Sequence, residues 1–409
     1  MGTVYVLGAG ASHGYTGSPT GVRPPLATGV FEAYSQLDIS DDSGVQPLWL
    51  ATYVRDRFGI PLKQFKSFRK NAEELMTTLE EDVEEHFARM RRGVRYDNAS
   101  DWMHVTRNVA AFDQVLFLFT HVLNEIANGP LYADYVTLSR QLRPEDTIIT
   151  FNWDVLLDRA LQESTNWIPD TGYGIRFSSM FDEAWRLPER PWSKGPTLLK
   201  LHGSTNWLRC HITRDVATGA WSILRTNTAV VAPGKEVEVV FRMEYDSNVL
   251  ADRRLSSAPY TLSQLRPLCF VNGTRRFASF NDRFRPGYAP FTYFQSPLDP
   301  NYGAPTGPLI IAPVKHKAYG QYAIILEPLW ARAADALRDA RRIVIVGFSF
   351  PPTDLRAREL FTPSDRRRSI EMVDPYPDQP VSTLRELLGS SDDIRQTAAS
   401  FAEFLARSV

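Results

Sequence analysis

The chain has 409 residues, ordinary apolar and charged fractions (43% and 23%) and a formal charge of -1, the profile of a globular protein with two or three domains, or one with large insertions. So balanced a charge excludes a bulk field that would draw the molecule onto nucleic acid, and direct nucleic-acid binding is not expected. Two distant cysteines, Cys210 and Cys269, support neither a disulfide framework nor a zinc ribbon; no apolar run reaches the ~20 residues of a membrane span, and a cytoplasmic protein is expected.

In chain order, residues 3–8 (TVYVLG) come first, an apolar, β-branched run ended by glycine. It reads as a strand buried on both faces of a parallel sheet, and not as a signal peptide, which would start with basic residues. Gly8-Ala9-Gly10-Ala11-Ser12 follows directly. Glycines there let a backbone approach a pyrophosphate, whose charge would be met by amide N–H groups and a helix N-terminus. Alone, the motif is also a tight strand-to-helix turn, because His13 stands where the usual dinucleotide fingerprint has its third glycine. Residues 62–142 read as a helical insertion, carried by EELMTTLEEDVEEHFARM and AAFDQVLFLFTHVLNEIA and stopped at Asn128-Gly129-Pro130. Within it, Arg89 to Arg95 reads as a solvated helix end or, alternatively, as a local basic foothold for nucleic acid. The segment VLFLFTHVL carries more apolar surface than one sheet face needs, which predicts either a homo-oligomer or a second core.

The run 147–151 (TIITF) is the second strand and leads into Asn152-Trp153-Asp154. Ligands of doubly wound folds gather at the carboxyl ends of strands, so Asn152 and Asp154 are candidate site residues; Asp154 suits a cap on the helix over 155–163 equally well. The run 197–201 (TLLKL) ends in His202-Gly203-Ser204. Of seven histidines only His202 leaves a buried strand straight into glycine, whereas His86, His104 and His121 fall within helical patterns. An imidazole near its unperturbed pKa of about 6.5 suits general-base work. Residues 208–306 read as an irregular insertion of β segments and loops, with strand-like pieces at 220–225 and 236–242. A helix over 328–340 follows, then a strand over 342–347 (RIVIVG) leading into Gly347-Phe348-Ser349-Phe350-Pro351-Pro352. Pro351 in place of glycine excludes a nucleophile elbow. The last strand, 369–373 (SIEMV), ends at Asp374-Pro375, which alone is an ordinary strand-end turn and otherwise a carboxylate placed for a hydroxyl or an adenine amine.

This alternation predicts an α/β fold, a Rossmann-like doubly wound parallel sheet built from residues 1–61, 143–207 and 307–409, with the helical (62–142) and irregular (208–306) insertions between them. Five polar or glycine-rich motifs at five strand ends point jointly to one site. No His-Glu-x-x-His or similar cluster is present, so neither a structural zinc nor a catalytic metal is expected.

Taken together the motifs resemble the sirtuin family. Gly8 to Ser12 matches the sirtuin Gly-Ala-Gly-x-Ser loop, Phe151-Asn152-Trp153-Asp154 is similar to Gln-Asn-x-Asp, His202-Gly203 matches the catalytic His-Gly, Gly347 to Ser349 matches Gly-x-Ser, and Val373-Asp374 is similar to the adenosine-contacting strand end. The motifs span residues 4–376. The chain departs from sirtuin deacylases in lacking their four-cysteine zinc ribbon and in keeping, at Gly21-Val22-Arg23-Pro24-Pro25-Leu26, only a glycine and a proline of Gly-Ile-Pro-Asp-Phe-Arg. The helical stretch with Asn71-Ala72-Glu73-Glu74-Leu75 instead resembles bacterial sirtuin-like effectors of anti-phage defence, and the length resembles their stand-alone type.

That resemblance implies hydrolysis of NAD at the nicotinamide–ribose bond, a homo-oligomer and a HerA-like ATPase partner. It implies that Asn152, Asp154 and His202 act at the reacting centre, and that Gly8, Ala9, Gly10, Ala11, Ser12 and Pro25 cradle pyrophosphate and nicotinamide ribose. Gly347, Ser349 and Asp374 then face the adenosine half. Two other readings stand beside it: an NAD-dependent protein deacylase or ADP-ribosyltransferase, and a non-catalytic scaffold that senses NAD or ADP-ribose.

Overall fold

Short β-branched runs form a wholly parallel sheet in the computed structural model. Its strands are β1 (Val4–Leu7), β2 (Thr147–Thr150), β3 (Thr197–Lys200), β4 (Arg342–Val346), β5 (Ser369–Asp374) and β6 (Asp393–Ala398), in the order β6-β5-β4-β1-β2-β3. Every neighbouring pair is parallel, with Val6 opposite both Ile149 and Ile345 at the centre. The structure describes residues 2–26, 29–37, 48–69, 72–91, 99–175, 177, 179–181, 185–186, 195–210, 212–214, 221–223, 268–270, 292–295, 303–311, 323–363, 367–389 and 392–407.

Near-continuous burial along β1 to β4 means that helices cover both faces of the sheet, which is why these strands read as unbroken apolar runs. Helix Leu156–Ser164 buries Leu156, Leu157, Ala160 and Leu161, and helix Ala323–Asp339 buries Leu326, Leu329, Trp330, Ala333 and Leu337; both sets follow helical spacing along one face. The doubly wound parallel sheet expected from the sequence is present. Strand β6 was not among the five expected. It lies at the sheet edge, where only one neighbour and little burial are needed, and its DIRQTA sequence carries no apolar pattern.

The chain lays β2 and β3 to one side of β1, then returns and lays β4, β5 and β6 to the other. The order therefore reverses at the seam between β1 and β4, and the crevice beyond the carboxyl ends at such a seam is where open α/β sheets hold their ligands.

A second core lies in the helical region. Val30, Phe31, Leu50, Val54, Leu75, Met76, Leu79, Val115, Leu116, Phe119 and Val122 belong to one buried cluster, so it draws on helices Val30–Gln36 and Leu48–Phe58 as well as on Ala72–Arg91 and Ala99–Ala127. Helix Ala133–Gln141 belongs instead to the sheet domain, through Tyr135 and Leu138. Val115, Leu116, Leu118, Phe119, Val122 and Leu123 of the VLFLFTHVL segment are all buried within the chain. The surplus apolar surface that suggested a homo-oligomer is thus consumed internally among the described residues.

Of the irregular insertion, Gly203–Cys210 pairs antiparallel with Gly303–Ile310 in a second sheet, and a strand at Trp221–Ile223 corresponds to the expected piece at 220–225. The piece at 236–242, Asn71 and much of the Arg89 to Arg95 run lie outside the described residues. Among the described residues no helix is long and apolar enough to cross a membrane.

Candidate active site

At the β1–β4 seam the two glycine motifs lie against each other. Gly8 N–H donates to the Val346 carbonyl at 3.0 Å and Gly10 N–H to the Gly347 carbonyl at 3.1 Å. A Cβ on Gly8 would sit 2.3 Å from the Gly347 oxygen, and one on Gly10 would sit 2.8 Å from the Gly347 Cα. Gly347 itself has a φ of +58°. The glycines are thus required first by the close approach of two strand-end loops, a contact that opens the seam's rim to a ligand without side chains in the way.

Beside this seam, the segment after β2 is pinned residue by residue. Phe151 stacks on Phe348 with ring centroids 4.4 Å apart. Asn152 Nδ2 donates to the Gly8 carbonyl at 2.9 Å and to Ser12 Oγ at 3.1 Å. A backbone carbonyl only accepts, so the amide orientation is fixed chemically, and Oδ1 is the atom that Asn152 offers to a cavity occupant. Trp153, also on the cavity wall, stacks on Phe119 of the helical core, 6.1 Å between centroids. Asp154 Oδ1 accepts Leu156 N–H at 3.0 Å, which ties Asp154 to the first residue of the following helix from the position before its N-cap, Val155, and it also lines the cavity. Burial raises the Asp154 carboxyl above its ordinary value, with Lys200 and Ser12 acting against that shift.

Below lies a polar network that the sequence reading did not assign. Lys200, 1% exposed at the end of β3, donates to the Asp154 carbonyl at 2.5 Å and pairs with Asp158 at 3.0 Å. Tyr173 also donates to Asp158, and Asn206 Nδ2 donates to the Tyr173 hydroxyl at 3.0 Å. A lysine inside an apolar strand run was the available signal, since a buried ammonium requires a buried partner.

Two residues past Lys200, His202 is 6% exposed. Gly203 takes a φ of +77°, and a Cβ there would lie 2.0 Å from the Leu309 carbonyl oxygen. That turn sends the chain into the second sheet while the imidazole stays at the rim. His202 Nε2 lies 2.9 Å from Asp354 Oδ2, and its ring meets Phe151 edge-on at 5.1 Å. Asp354 was not among the expected site residues. Its local signature, Asp three residues after Pro351 opening the helix Leu355–Glu359, is that of an N-cap, and Oδ1 does accept Ala357 N–H at 3.2 Å.

These groups surround one cavity of about 720 Å³, within the range of small-molecule sites. Of the residues expected at the site, Gly8, Ala9, Gly10, Ser12, Pro25, Asn152, Asp154, His202, Gly347, Ser349 and Asp374 line it; Ala11 does not, being fully buried beneath the loop. Ser12 contributes mostly inward, through Asn152 and a 2.8 Å hydrogen bond with the Tyr135 hydroxyl. His13, in the place of the third fingerprint glycine, engages the Pro24 carbonyl through Nδ1 at 2.8 Å, which ties the Pro24–Pro25 wall to the glycine loop. At the other end Asp374 Oδ1 accepts Tyr376 N–H at 2.8 Å, and Tyr376 is 85% exposed along the cavity wall. Among the described residues no group of three His, Cys, Asp or Glu side chains is placed to hold a metal.

No protein-family model matches the chain, and no curated protein does. A solved structure described as "Structural Basis for the Mechanism and Regulation of Sir2 Enzymes" is 13% identical, aligned over 76% of this chain and 82% of that one, with a TM-score of 0.28. At that similarity it says nothing about chemistry, which rests on the residues above.

Proposed function

We propose that the protein binds NAD in this cavity and hydrolyses its nicotinamide–ribose bond, giving nicotinamide and ADP-ribose. The observation that carries this reading is the convergence of Asn152, Asp154 and His202 from two neighbouring strand ends, beside the glycine loops of the seam, on one cavity. The C1′–N bond breaks with its electron pair leaving on nicotinamide, which departs neutral. Water then adds to the oxocarbenium-like C1′ and passes a proton to His202. Asn152, its Nδ2 held by Gly8, presents Oδ1 to water or the ribose hydroxyls. Asp154, held by Leu156 N–H, faces the nicotinamide carboxamide. The loops after β1 and β4 pass along the pyrophosphate, and Ser349 and Asp374 face the adenosine half. Positioned groups of this kind are each worth about 10²–10⁴ in rate.

The sirtuin resemblance supports a place for this activity in anti-phage defence, where an effector would deplete cellular NAD, working as a homo-oligomer beside a HerA-like ATPase. The experiment is to incubate the purified protein with NAD, with and without its genomic neighbour, and follow free nicotinamide and ADP-ribose. Release without an acceptor is the expected result. Turnover only with an acylated peptide would make it a deacylase, transfer of ADP-ribose to protein a transferase, and binding without release a sensing scaffold.

A further inference from the structure

We propose that Asp354 is a positioning residue that sets the tautomer of His202. The inference rests on the reading of His202 as the proton acceptor. Asp354 is buried, and its two oxygens are divided: Oδ1 accepts Ala357 N–H at 3.2 Å and Oδ2 lies 2.9 Å from His202 Nε2. A helix cap alone does not call for a carboxylate, because serine, threonine or asparagine serves as well. A buried carboxylate is costly unless something meets its charge, and the imidazole is placed to do so.

The carboxylate only accepts, so a neutral ring must carry its proton on Nε2 and its lone pair on Nδ1. A proton taken up on Nδ1 then makes an imidazolium whose charge lies against Asp354. The ring is held from other sides as well: Phe151 meets it edge-on, and Trp330 lies 6.2 Å away, itself covered by Arg356 at 4.6 Å. The turn that delivers Asp354 takes positive φ at Gly347 (+58°) and at Phe350 (+52°). A phenylalanine in that region is strained, and such strain persists where the surroundings over-determine it. One turn thus places Ser349 on the cavity wall and returns Asp354 to His202.

The test compares Asp354→Asn and Asp354→Ser with the parent. Asparagine keeps an oxygen for Ala357 N–H but turns an NH₂ donor toward Nε2, which drives the ring proton to Nδ1. Serine keeps the cap and removes the carboxylate. In ¹⁵N-histidine spectra the parent should show His202 as the Nε2–H tautomer, and Asp354→Asn should show the reverse. Asp354→Asn should release nicotinamide about 10²–10⁴-fold more slowly, with NAD binding and melting temperature near the parent's. The double variant with His202→Ala should be no slower than His202→Ala alone. A cap without this role predicts unchanged tautomer and rate. A parent ring protonated on Nδ1, or parent-like nicotinamide release by Asp354→Asn, overturns the proposal. If the parent releases no nicotinamide at all, NAD hydrolysis falls, while the spectra still decide the role of Asp354.

Discussion

The two ends of the cavity are built differently. Around His202 and Asp154 the polar groups are almost wholly buried, and both side chains already have fixed partners in Asp354 and Leu156. Around Asp374 the wall is open: Ser349 is exposed, Tyr376 is 85% exposed, and Asp374 is held chiefly by its own turn. Pre-organised dipoles in a dry site act strongly on developing charge, while exposed groups contribute to binding and little to the chemical step. The buried end is therefore where rate should be determined, and the open end where affinity should be.

The largest expected effect is at the buried end. His202→Ala should slow nicotinamide release by about 10²-fold or more, with a stability loss of about 1–3 kcal/mol as the ring is removed from the buried Asp354 carboxylate. Release and thermal unfolding measured on the same variant check both parts; parent-like release would place the chemistry elsewhere. Asn152→Ala should cost a similar ~10²-fold in rate. Because Nδ2 also ties down the Gly8 loop, it should lower stability by about 1–2 kcal/mol. Stability loss with activity intact would reduce Asn152 to a strut.

A middle case tests the seam itself. Gly10→Ala sets a Cβ 2.8 Å from the Gly347 Cα, so the two loops must part. A loss of about 1–3 kcal/mol is expected, with NAD affinity falling alongside it. Unchanged melting and affinity would contradict the close-packed seam. At the open end Asp374→Ala should raise KM several-fold and leave kcat nearly alone, the pattern of an interaction made equally in ground and transition states. An equal fall in kcat would erase the division between the two ends.

The smallest effect is a pH dependence. Burial raises the folded-state pKa of Asp154 above its ordinary 3.8. Folding therefore favours its protonated form, and this stabilisation is complete below the unfolded pKa and is lost as pH rises through the folded one. Asp154→Asn, which keeps an oxygen for Leu156 N–H, should gain stability relative to the parent between acid and neutral pH. Melting curves of the two proteins across that range check the sign, and a difference moving the other way would refute it.

The contrast also explains what could be read from sequence. Strands β1 to β4 were legible because burial on both faces leaves continuous apolar runs, and β5 because Ile370, Met372 and Val373 still mark a buried strand; the strand ends drew attention to Asn152, His202 and Asp374. Strand β6 has an edge position and no such run. Asp354 was hidden because its local pattern is already accounted for by a helix cap, and its second bond is to a residue on a distant strand end. Lys200 stood in plain view inside TLLKL, but its partner Asp158 lies on a helix where a carboxylate is unremarkable by spacing. The run VLFLFTHVL was read correctly as apolar, but sequence could not say whether its cover came from another copy or, as among the described residues, from this chain.

The division of the cavity is tested most directly by a crystal structure of His202→Ala soaked with NAD, which that variant should consume slowly. The expected result is nicotinamide and its ribose against Asn152 and Asp154, pyrophosphate along the loops after β1 and β4, and adenosine toward Asp374 and Tyr376. Adenine at the Asn152 end, or dinucleotide density outside this cavity, would contradict the account.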